Sequence, residues 1–232
     1  MEYKTNYRYF HKRMYPLFAG IALAIIGYLN VFYGFFVDSW FLYNMFVVLM
    51  VLGLIMILFF FVSSVKESEL DKGVKTRIRD IVQTATDKAT AADKHARIMD
   101  NYVAESYIFG KDVSTELKKG RDGTFRSNYY SASAFLISAS KLFVYTVSFS
   151  LTESNETESF CVYTYNAIDG ICLKDDVINA EIGNKAFTID THTIDIKSGD
   201  SLTSYPTHND SLADNMISMV LNRKEKCEAD KS

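Results

Sequence analysis

Two apolar runs decide the fold: PLFAGIALAIIGYLNVFYGFFV at residues 16–37 and WFLYNMFVVLMVLGLIMILFFFV at residues 40–62. Neither run contains a charged side chain, and only Asp38 and Ser39 separate them. At about 1.5 Å per helical residue, each run is long enough to cross a hydrocarbon core of roughly 30 Å. A helix in a soluble core would show a polar face, which neither run has. The stretch predicts a transmembrane helical hairpin over residues 16–64.

The basic residues around the two runs predict the orientation of this hairpin. They flank it on both outer sides, whereas the connection between the runs has no Lys or Arg. Because segments rich in Lys and Arg stay on the cytoplasmic side, both termini are expected in the cytoplasm. The flanking cations are Lys4, Arg8, Lys12, Arg13, Lys66, Lys72, Lys75, Arg77 and Arg79. We expect an integral protein of the cell membrane, with residues 1–15 as a cytoplasmic lead.

Small residues line one side of the first predicted span. Gly20, Gly27 and Gly34 recur every seven residues, with Ala24 between the first two. Seven residues are almost two helical turns, so these residues share a face that lets another helix approach closely. This face predicts packing against the second span or against another copy of the chain, which would form a homo-oligomer.

Asn30 and Asn44 are the polar residues that the predicted hairpin has to accommodate. In an antiparallel hairpin they would lie at similar depths, where a hydrogen bond between them would contribute about 0.6 kcal/mol. The alternative places Asn44 at the headgroups. Because no ionisable side chain lies inside either span, the sequence predicts no ion pathway.

The charge of the chain is unevenly distributed. The net charge of −3 includes a distal part, residues 128–232, in which eight Lys and Arg face fifteen Asp and Glu. An acidic domain argues against nucleic acid as a partner and against docking on anionic lipid headgroups. Its cysteines, Cys161, Cys172 and Cys227, form no C-x-x-C pair and are expected to be reduced on the cytoplasmic side.

No residue pattern in the chain predicts catalysis, a cofactor or a metal ion. The four histidines are scattered along the sequence and form no ligand set on one rigid element. A nucleophile elbow of the form G-x-S-x-G is absent. We therefore expect a protein that is not an enzyme, with no catalytic, cofactor-binding or metal-binding residues.

Residues 65–101 are predicted to form a connector helix. Its apolar residues step by three or four positions, which is helical spacing with a narrow seam. They are Leu70, Val74, Ile78, Ile81, Ala85 and Ala89. The seam fits an oligomeric coiled-coil stalk or a helix packed on its own domain, and its weakening to Ala favours the second.

From residue 102 to residue 228 the sequence predicts a β domain. The runs 129–138 and 141–151 are rich in Tyr, Phe and Val, and Ala139-Ser140 between them indicates a hairpin turn. Further strand runs follow at about ten-residue spacing, with a turn at Gly183-Asn184: 159–165, 166–176, 186–189, 191–196 and 201–205. Six to eight short strands predict an antiparallel meander in a sandwich or small barrel.

An amphipathic helix is predicted to close the β domain. Ser211 with Asp214 three residues later forms a capping-box pattern. The apolar face at helical spacing consists of Leu212, Met216, Met219 and Val220. The expected fold is an α+β membrane protein with a two-helix transmembrane hairpin, a helical connector and this helix-closed β domain.

The distal half resembles a pleckstrin-homology-like (PH-like) domain of the bacterial kind, which has curved strands and one C-terminal helix that plugs the barrel. The resemblance rests on AFLIS at 134–138, KLFVY at 141–145 and YNAID at 165–169, and on the closing run from residue 193 to residue 220. Phosphoinositide-binding members of that superfamily carry clustered basic residues on the first two strands. This chain has only Lys141 between residues 128 and 153, so phosphoinositide binding is not expected.

The architecture also resembles two-span bacterial antiviral effectors whose cytoplasmic β-barrel binds a cyclic nucleotide. Two functions are therefore expected. The first is a non-enzymatic, membrane-tethered scaffold that presents a PH-like domain to a protein partner at the cytoplasmic face. The alternative is a ligand-gated effector whose β domain binds a small molecule such as a cyclic nucleotide and whose hairpins assemble.

Overall fold

The computed structural model describes residues 2–11, 14–34, 39–62, 65–110, 115–182 and 185–229 of an α+β protein. Its helices are α1 (Tyr3–Phe10), α2 (Tyr15–Tyr33), α3 (Trp40–Val62), α4 (Glu67–Ala92) and α5 (Asp210–Ala229). Its strands are β1 (Ile98–Tyr107), β2 (Leu117–Lys119), β3 (Phe125–Ser127), β4 (Tyr129–Ser138), β5 (Lys141–Ser150), β6 (Glu156–Thr164), β7 (Gly170–Ile182), β8 (Lys185–Ser198) and β9 (Ser201–Thr207). The chain divides into a helical unit, Lys4–Leu70, and a sheet unit that comprises Asp71–Ser232 with Met1–Tyr3.

Helices α2 and α3 of the helical unit are long and apolar enough to cross a membrane, by length and composition. They pack against each other, yet most of their large side chains face outwards; Phe18 is 63% and Phe59 70% exposed. Soluble proteins rarely expose an apolar surface of this extent, which is compatible with an integral membrane protein. The predicted connection at Asp38 lies outside the described residues.

A four-stranded antiparallel sheet in the order β1-β4-β5-β6 is covered on both of its faces. One face contributes Phe135 and Val144 to the core of the sheet unit. Since successive side chains of a strand point to opposite faces, Leu136 and Tyr145 belong to the other face, and they are also buried. Burial on both faces explains why β4 and β5 are apolar or small at nearly every position, without the alternation of a sheet that faces water.

Helix α4 covers the second face of this sheet. Arg77 and Lys88 of α4 form ion pairs of 2.6 and 2.7 Å with Glu156 and Glu158 of β6. The Lys88 ammonium also lies 4.2 Å from the centre of the Tyr145 ring. The predicted seam is buried except at Ile78, which is half-buried, and Ala85 and Ala89 are fully inaccessible. It packs on the chain's own sheet, which was the favoured alternative for the connector.

A second antiparallel sheet, β7-β8-β9, and helix α5 complete the core of the sheet unit. Ile194 and Ile196 of β8 face Met216 and Val220 of α5 within one cluster of buried side chains. Strand β9 lies beside β1, where the hydroxyl groups of Tyr102 and Thr207 are 3.0 Å apart. The core is therefore built from two meanders, of four and three strands, and one C-terminal helix.

Three details of the sheet unit differ from the sequence expectation. The connector helix ends at Ala92 instead of continuing to residue 101, and residues 98–101 already belong to β1. Residues 117–127, in which the sequence analysis names no strand, form the short hairpin β2–β3. The runs 186–189 and 191–196 form one strand, β8, while the predicted turn at Gly183-Asn184 lies outside the described residues.

Candidate functional site

A gap opens in the second sheet where β9 ends. Strand β8 pairs with β7 over residues 185–197, but with β9 only over residues 192–198. Its first seven residues, 185–191, therefore have a neighbouring strand on one side only, in the part of the chain that the structure describes. Such an edge presents unpaired backbone N–H and C=O groups.

The opposite side of the gap is formed by β1. This strand forms a ladder with β4 and, among the described residues, with no other strand. The carbonyl oxygen of Glu105 instead accepts a hydrogen bond of 2.6 Å from Nδ1 of His208. A side chain, and not a neighbouring strand, thus satisfies this backbone acceptor of β1.

A cavity of about 520 Å³ lies beside these two strand edges. This volume is within the range of small-molecule and peptide side-chain pockets. Helix α4, the β2–β3 turn, the middle of β8 and the ends of β1 and β9 form its walls. The lining residues are Asp71, Val74, Lys75, Ile78, Glu105, Ser106, Tyr107, Phe109, Gly123, Thr124, Phe125, Tyr130, Thr188, Ile189, Asp190, Thr191, His192, Thr207 and His208.

Aromatic rings supply much of the apolar wall of the cavity. The rings of Tyr107 and Tyr130 meet edge to face, 4.8 Å apart. Burial, reinforced by nearby carboxylates, raises the pKa of both phenols well above the ordinary range, so both remain neutral donors. Phe125 packs on Phe187 at 5.4 Å, and the Lys119 ammonium lies over both rings. The wall already attracts a cation to its aromatic faces.

A nearly buried guanidinium joins α4 to the β2–β3 turn. Arg126 of β3 donates to both carboxylate oxygens of Asp71, at 2.9 and 3.2 Å, and to both of Asp122, at 2.8 and 3.0 Å. Its side chain is 5% exposed, whereas both partners reach solvent. The Tyr107 hydroxyl donates to Asp71 at 3.4 Å. Because two carboxylates occupy its donors, Arg126 is a structural tie and is not available to an anionic ligand.

This cluster predicts a dependence of stability on pH. The Arg126 guanidinium, helped by the Thr124 N–H, lowers the pKa of the Asp122 carboxyl to about 2. Because this value lies below that of a free aspartate, the contribution is complete above about pH 4 and is lost as the pH falls towards 2. Urea midpoints of the full chain in detergent at pH 6 and pH 3 should differ less for Asp122→Asn than for the wild type.

The control for this prediction is Asp200→Asn, which changes an exposed turn residue. Its pH dependence should equal that of the wild type. If Asp122→Asn also leaves the dependence unchanged, the ion pair to Arg126 does not contribute to stability.

Several charges of the cavity lack partners. Lys75 of α4 and Asp190 of β8 form no ion pair or side-chain hydrogen bond with the described residues. The Glu105 carboxylate lies beside the Tyr130 hydroxyl, and its Oε2 atom is buried without a hydrogen-bond partner among them. His192 lies 2.8 Å from Asp175 and 3.5 Å from Asp210 through its Nδ1 atom. With these carboxylates on its walls and rim, the cavity is acidic.

The structure brings most of the predicted small residues of the first span into the helix contact. A Cβ atom on Gly20 would lie 3.0 Å from the Gly53 carbonyl oxygen, and one on Gly27 2.6 Å from the Met50 nitrogen. Ala24 faces Gly53, a close-approach residue of α3 that the sequence analysis did not single out. The predicted face therefore packs on the second span.

The remaining predicted residues of the spans have other roles. A Cβ atom on Gly34 would have no described neighbour within 4 Å, so Gly34 is not part of the helix contact. Gly34 instead ends α2 in the left-handed conformation, with φ of 63°. The hydrogen bond between Asn30 and Asn44 is not formed, because each side chain donates to the carbonyl oxygen four residues earlier in its own helix. The carbonyl oxygen four residues earlier is always within reach of such a side chain. A hydrogen bond between the helices would also require both side chains to lie at the same depth and to point towards each other.

Helix α5 presents a different face to the core from the one predicted. Met216 and Val220 are fully buried and Met219 is half-buried, as expected, but Leu212 is 51% exposed. The buried stripe consists of Ala213, Met216, Ile217 and Val220. The helix is capped by Asn209, whose Oδ1 accepts from the Leu212 N–H, and not by Ser211. The cap therefore lies two residues before the position that the capping-box pattern predicts.

Sequence reasoning missed the cavity, because its residues come from segments far apart in the chain. No group of three or more His, Cys, Asp or Glu among the residues that the structure describes is arranged to hold a metal ion. No family model, curated protein or solved structure matches this chain, so its function is inferred from the described side chains and strand edges.

Proposed function

We propose that the chain is a non-enzymatic, membrane-tethered binding module. Helices α2 and α3 anchor it as a two-span hairpin, and the sheet unit is a PH-like domain that holds a protein partner at the cytoplasmic face. The PH-like assignment is supported by the order of four strands, three strands and one C-terminal helix, with Met216 of that helix in the core.

The observation that carries this proposal is the gap between β1 and β8. Two strand edges that lack a neighbouring strand among the described residues lie beside one cavity, on a domain whose chain continues into apolar helices. Strand edges of this kind bind other polypeptides by main-chain hydrogen bonds. Lipid headgroups are the poorer partner, since Lys141 is held by Asp93 at 2.8 Å and Arg126 by two carboxylates.

The proposal is tested by purification of the tagged full chain from native membranes in mild detergent. We expect one protein to co-purify in stoichiometric amount with the chain and not with an unrelated two-span protein. Recovery of the chain alone, after cross-linking in intact cells as well as without it, would contradict the scaffold function.

The cytoplasmic position of the sheet unit gives a separate prediction. An impermeant maleimide should label Ser39→Cys in intact cells when the three native cysteines are replaced by serine, because Ser39 is exposed beside the connection between the spans. In the wild-type chain, the exposed Cys172 should react with the maleimide only after lysis. Labelling of Cys172 in intact cells would reverse the orientation.

A second candidate function, a ligand-gated effector, is favoured by the volume of the cavity. Helix α4 forms one wall of it through Asp71, Val74 and Ile78, and the same chain leads into the apolar helices. A small molecule bound there would change the contacts of α4 and thereby the assembly of hairpins into oligomers. In that case a panel of cyclic nucleotides and other metabolites should contain a compound that raises the melting temperature of the full chain. A scaffold should show no such rise.

A further inference from the structure

We propose that the gap between β1 and β8 receives an extended, basic segment of the partner protein, which adds a strand to the second sheet. This inference rests on the proposed binding function and names its site and the chemistry of its partner. Its basis is the juxtaposition of two open strand edges, an acidic cavity and aromatic walls.

The backbone of β8 offers enough length for a stable strand pairing. Residues 185–191 lack a neighbour on the β9 side, and seven residues at about 3.3 Å each span roughly 20 Å, which is the length of an ordinary strand. On the other side of the gap, the Glu105 carbonyl oxygen is bonded by the His208 ring, which an incoming backbone can replace. A segment in the gap would continue the line of β9 beyond Thr207.

The edge of β8 has few of the features that proteins use to block unwanted pairing. Exposed edges are normally protected by Pro, by bulges, by several charged residues or by a covering element. The segment KAFTIDT at 185–191 has no Pro and carries charges only at Lys185 and Asp190. Its pairing with β7 runs without a bulge. An edge left regular and open beside a cavity is suited to a specific partner strand.

The charges around the gap select a basic segment. Asp190 has no ion-pair partner among the described residues, and Glu105, which lies beside the Tyr130 hydroxyl, keeps a buried Oε2 atom without a hydrogen-bond partner among them. Besides the histidines, the described part of the cavity wall carries Lys75, and the Lys119 ammonium lies over its Phe125 ring. Arg126 is already bound by two carboxylates and adds no attraction for anions. Complementary charge favours Lys or Arg in the partner and disfavours phosphorylated segments.

The aromatic walls fit the same chemistry. Alternate side chains of an added strand would point to the face that carries Tyr107 and Phe109, whose rings lie 6.4 Å apart. Lys119 already occupies such a position over Phe125, at 4.9 Å from the ring centre. A Lys or Arg at every second position of the segment would combine ring contacts with the carboxylates of the cavity.

The test is a selection from a random octapeptide display library on the full chain in detergent. We expect enriched peptides with Lys or Arg at alternate positions. Their affinity should fall at least about tenfold for Asp190→Lys and remain unchanged for Asp200→Lys, an exposed matched control. With a synthetic peptide bound, amide exchange of residues 185–191 should slow at least about tenfold. N-methylation of alternate peptide amides should abolish this protection.

Each other outcome overturns the inference. An absence of enriched peptides, an acidic consensus, or protection that appears away from β1 and β8 would show that the gap is not a strand-binding site. If a partner still co-purifies with Asp190→Lys at wild-type yield, the binding function stands and its site lies elsewhere. If a metabolite raises the melting temperature while the library yields nothing, the ligand-gated function stands and the peptide site does not exist.

Discussion

Met216→Ala is expected to lower the free energy of unfolding of the sheet unit by about 2–5 kcal/mol. The Met216 side chain is fully buried between the two sheets, in the stripe by which α5 closes the core. Its truncation removes apolar contacts and leaves a cavity that the strands cannot fill. A loss of this size is a large part of the stability of one domain. Urea unfolding of the full chain in detergent, followed by near-ultraviolet circular dichroism, measures the change.

Asn222→Ala is the matched control on the same helix, since Asn222 is exposed, and its midpoint should stay within about 0.5 kcal/mol of the wild type. Removal of all residues after Tyr205 should abolish cooperative unfolding of the sheet unit, because the core would lose one wall. An unchanged midpoint for Met216→Ala and for this truncation would mean that α5 is an appendage, and it would remove the support for a PH-like domain.

Gly27→Leu is expected to force α2 and α3 apart, at a cost of about 1–3 kcal/mol for overpacking. A Cβ atom at Gly27 would already lie 2.6–2.7 Å from Met50 and from the Phe46 carbonyl oxygen, and both obstacles include backbone atoms that cannot rotate away. The remaining Leu atoms increase the separation along the hairpin. Titration of the full chain with a denaturing detergent, with helix contact read by energy transfer between labels on the two spans, measures the loss.

Ile26→Leu is the control, because Ile26 is 47% exposed on the outward side of α2 and the change conserves volume. It should leave the titration midpoint unchanged. If both variants behave alike, the close approach at Gly27 does not stabilise the hairpin, and the glycines of this span are not a packing face.

The sequence determined those features whose physical cause is local. Uninterrupted apolar runs made α2 and α3 long enough to cross a membrane without reference to any other segment. The seven-residue spacing of Gly20 and Gly27 placed both on the α3 contact, because helical periodicity alone decides which residues share a face. The β-branched and aromatic runs predicted β4 and β5 to within a residue. Which elements cover the two faces of these strands could not be predicted from the runs themselves.

The face that α5 turns towards the core shows what helical periodicity alone cannot predict. Leu212 and Ala213 both fit an apolar stripe with Met216 and Val220, and hydrophobicity alone favours the larger side chain. The Asn209 cap sets where the helix begins, two residues before the predicted cap at Ser211. Close packing against the sheets then selects the small Ala213, which is fully buried, and leaves Leu212 outside.

Only the tertiary structure decided where a site could lie. Asp71 and Arg126 are 55 positions apart, and their ion pair exists because α4 folds back on the sheet. The gap beside β8 arises because β9 is seven residues long and β8 is fourteen, a difference that matters only when the two strands are paired. Local propensity specifies elements and their faces. The cavity, its unpaired carboxylates and the two open edges depend on which elements become neighbours and where each one stops.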